Sequence, residues 1–346
     1  MELDLDTFLV TVYCVVDDLW QARFAPLKPR RPGHRPELAD SEVLTLMVLA
    51  QWHPRRSERA FIRYAARHWQ GYFPRLLGQS AFNRRARDLC GVLALLGPAV
   101  AQAVEQRLGP AAYEVLDTVP VPLMRRCRGE RHRLFGDEAG LGCGGSDREW
   151  YYGVQLLGSV RPPGLLTGWL IGPANTEERW VAEAFFRWRR APAAPGPTVA
   201  QLEPLLGPNH HPGGWVGPTG PLAPYLAVGA PAAGAYLADL GFAGARWGRH
   251  WREHYGAAVL TKAACRALPT AAERYRAAHE LASWRQVVET AYQWLTATFG
   301  LKFPQARTYR GLLTRLGAKV AAFNLAVHIN ILFARPPFAG FNPLEA

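Results

Sequence analysis

The chain has 346 residues, 49% of them hydrophobic and 20% charged, with a formal net charge of +12. That size and balance predict a globular protein with a sizeable core, most simply one catalytic domain and a smaller companion. No apolar run reaches the roughly 18 residues of a bilayer span, and the opening MELDLD is acidic where a secretory leader is basic, so no membrane association and a cytoplasmic location are expected.

The five cysteines, Cys14, Cys90, Cys127, Cys143 and Cys265, are scattered without a C-x-x-C pair, which argues against both a disulfide framework and a zinc finger. The positive charge points to a polyanionic partner, and 36 of the 40 basic residues are Arg, the side chain that grips phosphate bidentately. Two regions concentrate it. Nine Arg face one acid, Glu58, between Arg55 and Arg87, and residues 237–346 carry 14 basic against 6 acidic groups.

In chain order, residues 1–108 read as an all-α domain, with helices expected over Thr7–Trp20, Ser41–Trp52 behind an ADSE cap signal, Ser57–Gln70, and Ser80 to about Leu96. In the third helix Ala60, Phe61, Tyr64, Ala65, His68 and Trp69 recur at helical spacing, which leaves Arg59, Arg63 and Arg67 as a ladder on another face. The fourth opens SAFNRRARDL, so Asn83, Arg84, Arg85 and Arg87 fall in its first two turns. The pair resembles a DNA-binding helix-turn-helix. A solvated basic face on a bundle is the competing reading, because GYFPRLLGQ is long for the connecting turn.

Beyond Gly109 the period shifts to that of strands: YEVLDTV, EWYYGVQLLGSV and GLLTGWLIGP, then a helix over Thr176–Arg190, then GAYLADLGF and GAAVLTK. A Pro/Gly-rich insertion at about 191–235 holds no Lys or Arg; its His210 and His211 read as surface residues. Helices over Ala278–Phe299, with Leu281, Trp284, Val288, Ala291 and Leu295 on one stripe, and over Leu312–Phe333 close the chain, the last packing on the same domain. The expected fold of residues 109–346 is an α/β layer with a mixed five-stranded sheet flanked by helices.

Asp117 and Asp239 each fall at or near the end of an apolar strand, where an unpaired carboxylate costs a few kcal/mol to desolvate. Each read singly is also an ordinary turn or cap residue. Glu289 lies four residues beyond Arg285 on the flank of the buried stripe, a spacing that also makes a routine ion pair. Together the three acids form an all-oxygen set suited to two Mg²⁺ or Mn²⁺ ions, the arrangement that supports phosphodiester displacement.

The blocks LDTVPVPL, ADLGFAG and RQVVETAYQWL resemble the three signature blocks of DDE transposases of bacterial insertion sequences, nearest the insertion-sequence-982 family. The resemblance runs from LADSEVLTLMVLAQW to HINILF. It implies a ribonuclease-H-like catalytic domain, with Asp117, Asp239 and Glu289 as catalytic and metal-ligating acids. It also implies cut-and-join chemistry on DNA at terminal inverted repeats and target, by a homodimer assembled on DNA in the bacterial nucleoid.

Arg285 and Glu289 match the Arg and Glu of the Y-R-E-K signature, with Arg285 holding a phosphate; Ala282 and Thr296 stand at its Tyr and Lys places. Gln155 and Leu157 stand where such enzymes usually carry Lys and His. Downstream of the first strand, Arg125, Arg126, Arg128, Arg131 and Arg133 suit phosphate tracking close to the cleavage point. The alternatives are a catalytically silent or domesticated DNA-binding protein derived from a transposase, and a nuclease without a joining step. On any of these readings duplex-DNA affinity, followed by fluorescence anisotropy, is expected to drop by about 10³-fold or more between about 50 and 200 mM salt; a flat response would contradict phosphate binding.

Overall fold

The computed structural model describes residues 3–28, 36–53, 57–129, 131, 135–144, 149–189, 229–340 and 344. In order the elements are α1 (Leu5–Leu19), α2 (Asp40–Leu49), α3 (Glu58–His68), α4 (Gln79–Asp88), α5 (Cys90–Leu108), β1 (Glu114–Arg125), α6 (Arg126–Gly129), β2 (Gly140–Gly144), β3 (Glu149–Arg161), β4 (Leu165–Pro173) and α7 (Glu178–Arg189). They continue with β5 (Gly234–Ala238), α8 (Ala245–Tyr255), β6 (Ala257–Thr261), α9 (Lys262–Cys265), α10 (Ala271–Ala297) and α11 (Tyr309–Leu332). The described residues up to Val104 and from Trp294 onward form one compact unit, and those from Glu105 to Gln293 another.

The first unit is helical. Asp4 caps α1 through Thr7 N at 2.8 Å, and Phe8, Leu9, Val12, Val16 and Leu19 bury one stripe of that helix. Helix α2 buries Val43, Leu44, Leu46, Met47, Val48 and Leu49, an apolar surface on every side that makes it a central member. The single long helix expected from Ser80 is instead two, α4 and α5, bent by 65° at Leu89.

Helix α11 also belongs to this unit, whereas the sequence groups it with the sheet. Gly317 sits against the Leu93 and Ala94 backbone and Gly97 against Val320, each so close that an added Cβ would lie 2.7–2.8 Å from its neighbour. Asn324 Nδ2 donates to Gly97 O at 2.7 Å. Among the described residues α11 is the one single helix long and apolar enough to cross a membrane, so the expectation that no such segment exists is corrected; 94% of its apolar window is buried within the protein.

The second unit is a mixed sheet flanked by helices, in the order β2-β3-β1-β5-β6, with β4 also on β3. It has six strands, not five. Short Gly-rich β2 pairs with residues 149–153 of β3, and β4 with residues 154–161 along the same edge. β1 runs antiparallel to β3, while β1, β5 and β6 are mutually parallel. Asp117 therefore lies inside a twelve-residue strand, not at its end. The ladder to β3 passes through Pro120 and Pro122, and β1 has no β5 partner beyond Leu116, so the missing proline N–H groups fall on an unpaired side.

Alternation along β1 divides its side chains between two helical layers. Leu116 joins Leu157, Tyr236 and Ala238 beneath Val181, Phe185 and Phe186 of α7 and Trp247 and Trp251 of α8. Glu114 lies on that side too. Its carboxylate meets Arg189 Nη1 at 3.1 Å and accepts from Thr167 Oγ1 at 2.7 Å and from Ser159 Oγ. Arg189 also lies over the Phe185 ring at 4.9 Å. The opposite side receives α10, whose Leu281, Val288, Ala291 and Tyr292 are buried. Trp284, expected in that buried stripe, is instead 47% exposed and stacks on Tyr113 at 5.6 Å. The 191–235 insertion lies outside the described residues except for its last few positions.

Burial pushes the Glu114 carboxyl up, but the Arg189 charge and the hydrogen bonds from Arg189, Ser159 and Thr167 outweigh it and hold it below the ordinary value of 4.5. A lowered carboxylate contributes stability that is complete above that value and is lost as pH falls through the folded-state value. Arg189→Met strands the buried charge and is expected to cost about 3–5 kcal/mol in urea unfolding at pH 7, with the deficit shrinking as pH falls, beginning above 4.5 because burial raises the unpaired carboxyl. A loss under about 1 kcal/mol would show the pair to be dispensable.

Candidate active site

The last β1–β5 pair is Leu116 with Ala238, so one residue further along each strand Asp117 and Asp239 come side by side at the C-terminal end of β5. Asp117 points to the α10 side. Its Oδ1 accepts from Thr118 N at 2.8 Å, and Oδ2 lies 3.5 Å from Arg285 Nη2. Tyr292, two turns beyond Arg285, donates from its hydroxyl to Asp117 O at 2.7 Å and lies 3.3 Å from Gly158 O. Gly158 is opposite Asp117 in the ladder, and a Cβ there would come 2.7 Å from the Tyr292 hydroxyl. Glycine is what admits that clamp.

Asp239 follows β5 and opens a short 3₁₀ turn over Leu240–Phe242, where its Oδ1 accepts from Gly241 N at 2.8 Å. The plain capping role that the ADLGF spacing suggested is thus present, beside the adjacency to Asp117.

A third carboxylate joins them, and it is one that sequence reasoning missed. Thr118 points to the α7 side, and its Oγ1 donates to Glu178 Oε1 at 2.6 Å. The other oxygen, Oε2, lies over Gly241, where a Cβ would sit 1.6 Å from it and 3.1 Å from Asp239 Oδ1. In sequence Glu178 reads only as an acid in the first turn of a helix, where a negative charge suits the dipole.

Burial pushes the Asp117 carboxyl up to about 7; Arg285 and the Thr118 N–H oppose the rise, and the neighbouring Asp239 and Glu178 charges add to it. Glu178 is likewise pushed up, first by burial, with Thr118 and Arg285 opposing and Asp239 adding. The one Arg285 guanidinium thus opposes the rise at both Asp117 and Glu178, and pairs only with Asp117. Arg285 Nε is itself a buried donor without an acceptor among the described residues.

Glu289 stands apart from this cluster. It is exposed, on the α10 turn between Arg285 and Tyr292, and makes no hydrogen bond or ion pair with the described residues, so the i,i+4 pairing with Arg285 is not formed. Among the described residues no three His, Cys, Asp or Glu side chains are arranged to close on one metal ion. The donor set nonetheless fits a hard cation in its chemistry: the cluster is all carboxylate and short of positive charge, and Gly241 admits the Glu178 carboxylate where a Cβ would otherwise sit.

The basic residues divide. Arg63, Arg67 and Arg84 are exposed, as are Arg125, Arg126 and Arg128. Arg85 does not belong to a free face: it pairs with Asp40 at 2.6 Å and donates to Leu38 O, bracing the start of α2. Arg87 is half-buried, with its carbonyl bound by Arg310 Nε at 2.7 Å. Asn83 likewise turns inward, to both Glu58 oxygens at 2.9–3.0 Å. Because β1 continues past Asp117, Arg125 lies eight residues along, roughly 26 Å at ~3.3 Å per residue, so the arginine loop is not beside the acids. Arg126 there lies over the exposed Trp150 ring at 5.4 Å. Gln155 is buried and donates to Pro173 O at 3.3 Å and to Thr176 O, a structural role.

No known family model, curated protein or solved structure matches this chain.

A carboxyl raised on folding costs stability once ionised, so its penalty is absent below the unfolded value of 3.8 and grows as pH rises toward about 7. In chelator, Asp117→Asn is therefore expected to be more stable than wild type by roughly 2–4 kcal/mol at pH 8 and equal to it near pH 4. A variant equally destabilised at both values would refute the burden placed on Asp117.

Proposed function

We propose that the chain is a DDE-type DNA transposase, which cleaves DNA strands at the ends of an insertion sequence and transfers them to target DNA. One observation carries this reading: Asp117 and Asp239, far apart in sequence, stand on neighbouring strands at one level, with Arg285 and Glu289 on the helix that packs over them. The strand order, three antiparallel strands followed by two parallel ones, supports a ribonuclease-H-like core.

On this reading Asp117 and Asp239 would hold Mg²⁺ or Mn²⁺ ions, two in all, with Glu289 brought in by side-chain rotation from its exposed position. When bound, such ions would lower the cost of charge on the attacking and leaving oxygens of a phosphodiester. The protein's own groups orient and bind. Tyr292 and Thr118 fix the Asp117 backbone and carboxylate, and Arg285 Nε, a donor lacking an acceptor, suits a phosphate oxygen. Exposed Arg63, Arg67, Arg84, Arg125, Arg126 and Arg128 supply sequence-independent phosphate contacts to terminal inverted repeats and target. The acting form is a homodimer on DNA in the bacterial nucleoid.

A second reading, a catalytically silent DNA-binding descendant of such an enzyme, is favoured by the Arg285–Asp117 pair together with the isolation of Glu289. Incubation with a terminal-inverted-repeat duplex and Mg²⁺ separates the two. The enzyme reading expects strand cleavage, lowered at least about 10³-fold in Asp239→Ala. Retarded DNA without nicking would select the silent reading, and equal cutting by both proteins would remove Asp239 from the chemistry.

A further inference from the structure

We propose that Glu178 is a carboxylate ligand to the same divalent cation as Asp239, an assignment that deepens the metal-dependent reading and rests on it. The residue comes from α7, on the side of the sheet opposite the helix that carries Arg285 and Glu289. Its carboxylate is held at one oxygen and left open at the other. Thr118 Oγ1 binds Oε1 at 2.6 Å, and this threonine follows Asp117 directly, so the bond ties α7 to the strand bearing the first aspartate.

The open oxygen, Oε2, is packed into the space where any side chain at position 241 would begin, 1.6 Å from the Cβ an alanine would have. The same point is 3.1 Å from Asp239 Oδ1, so the two carboxylate oxygens are no further apart than these two distances end to end, about the reach of one ion with bonds of about 2.1–2.5 Å. Gly241 thus has two functions. Its N–H orients Asp239 at 2.8 Å, and its missing side chain lets Glu178 approach.

Among the described residues no cation makes an ion pair with Glu178. Arg285 makes its ion pair with Asp117 at 3.5 Å, and Arg179, next in sequence, pairs with Glu177. Two carboxylates set this close are held against mutual repulsion by the Thr118 and Gly241 hydrogen bonds. The positive charge that would relieve the repulsion belongs between them.

The test is Mn²⁺ affinity of the full chain without DNA, read by electron paramagnetic resonance, for wild type, Glu178→Gln, Gly241→Ala and Asp239→Asn. Glu178→Gln retains an oxygen for Thr118 and removes only the charge, so a structural role would survive it. Gly241→Ala, at an exposed turn, displaces Oε2 by direct contact while leaving both carboxylates in the sequence. Both are expected to weaken Mn²⁺ binding by about tenfold or more, with the melting temperature of Glu178→Gln in chelator at or above that of wild type. Wild-type affinity in Glu178→Gln and Gly241→Ala, alongside loss in Asp239→Asn, would overturn the role of Glu178 and leave the metal-dependent reading standing. Equal affinity in Asp239→Asn and wild type, or no binding by wild type, would sink both.

Discussion

Parallel pairing of β1 with β5 sets the chemistry of the sheet unit. It ends at Leu116 and Ala238, and the next residue of each strand is an aspartate. Two carboxylates at one level in a half-buried setting repel each other and lose hydration, and Glu178 adds a third negative charge to the same neighbourhood. Arg285 offsets part of this, since its pair with Asp117 is long at 3.5 Å and its Nε has no acceptor among the described residues. A protein that needed only stability would do better with neutral side chains at these positions. On the proposed function, the arrangement is a holder of positive charge.

The surroundings explain how such a cluster persists. Alternation along β1 sends Glu114 and Thr118 to the α7 side and Asp117 to the α10 side, so each helix grips the strand through a different polar contact. Below the acids, the Glu114–Arg189 pair with Ser159 and Thr167 fastens α7 to the sheet. Glu183, one turn further along α7 than Arg179, is satisfied by His250 at 2.9 Å, Trp251 at 3.1 Å and Tyr255, which fastens α8 to α7. These buried networks fix the frame on which the repelling carboxylates are mounted.

Much of this frame was legible in the sequence, and the exceptions have physical causes. Asp117 and Asp239 were visible because a charge in a strand-like apolar run is costly. The helical span around Arg285 and Glu289 was visible because its apolar residues recur at helical spacing, although Trp284 matched the period and still faces solvent. Glu178 was hidden because an acid in the first turn of a helix needs no special reason, and its bond to Thr118 spans sixty positions. GLGCG carries no strand propensity and pairs only because β3 offers an edge. Helix α11, apolar on every side, announces burial without naming its neighbour, which proved to be α5 through Gly97 and Gly317. Arg85 shows the limit of counting charges, since its place beside Asp40 is a packing fact absent from the local pattern.

The most direct measurement is anomalous diffraction from crystals of the protein grown or soaked with Mn²⁺. A shared cation site predicts a peak about 2.1–2.3 Å from oxygens of both Asp117 and Asp239, with the Arg285 guanidinium moved off Asp117. Crystals at saturating Mn²⁺ with no peak there, and Arg285 still paired with Asp117, would contradict a metal-dependent active site in this chain.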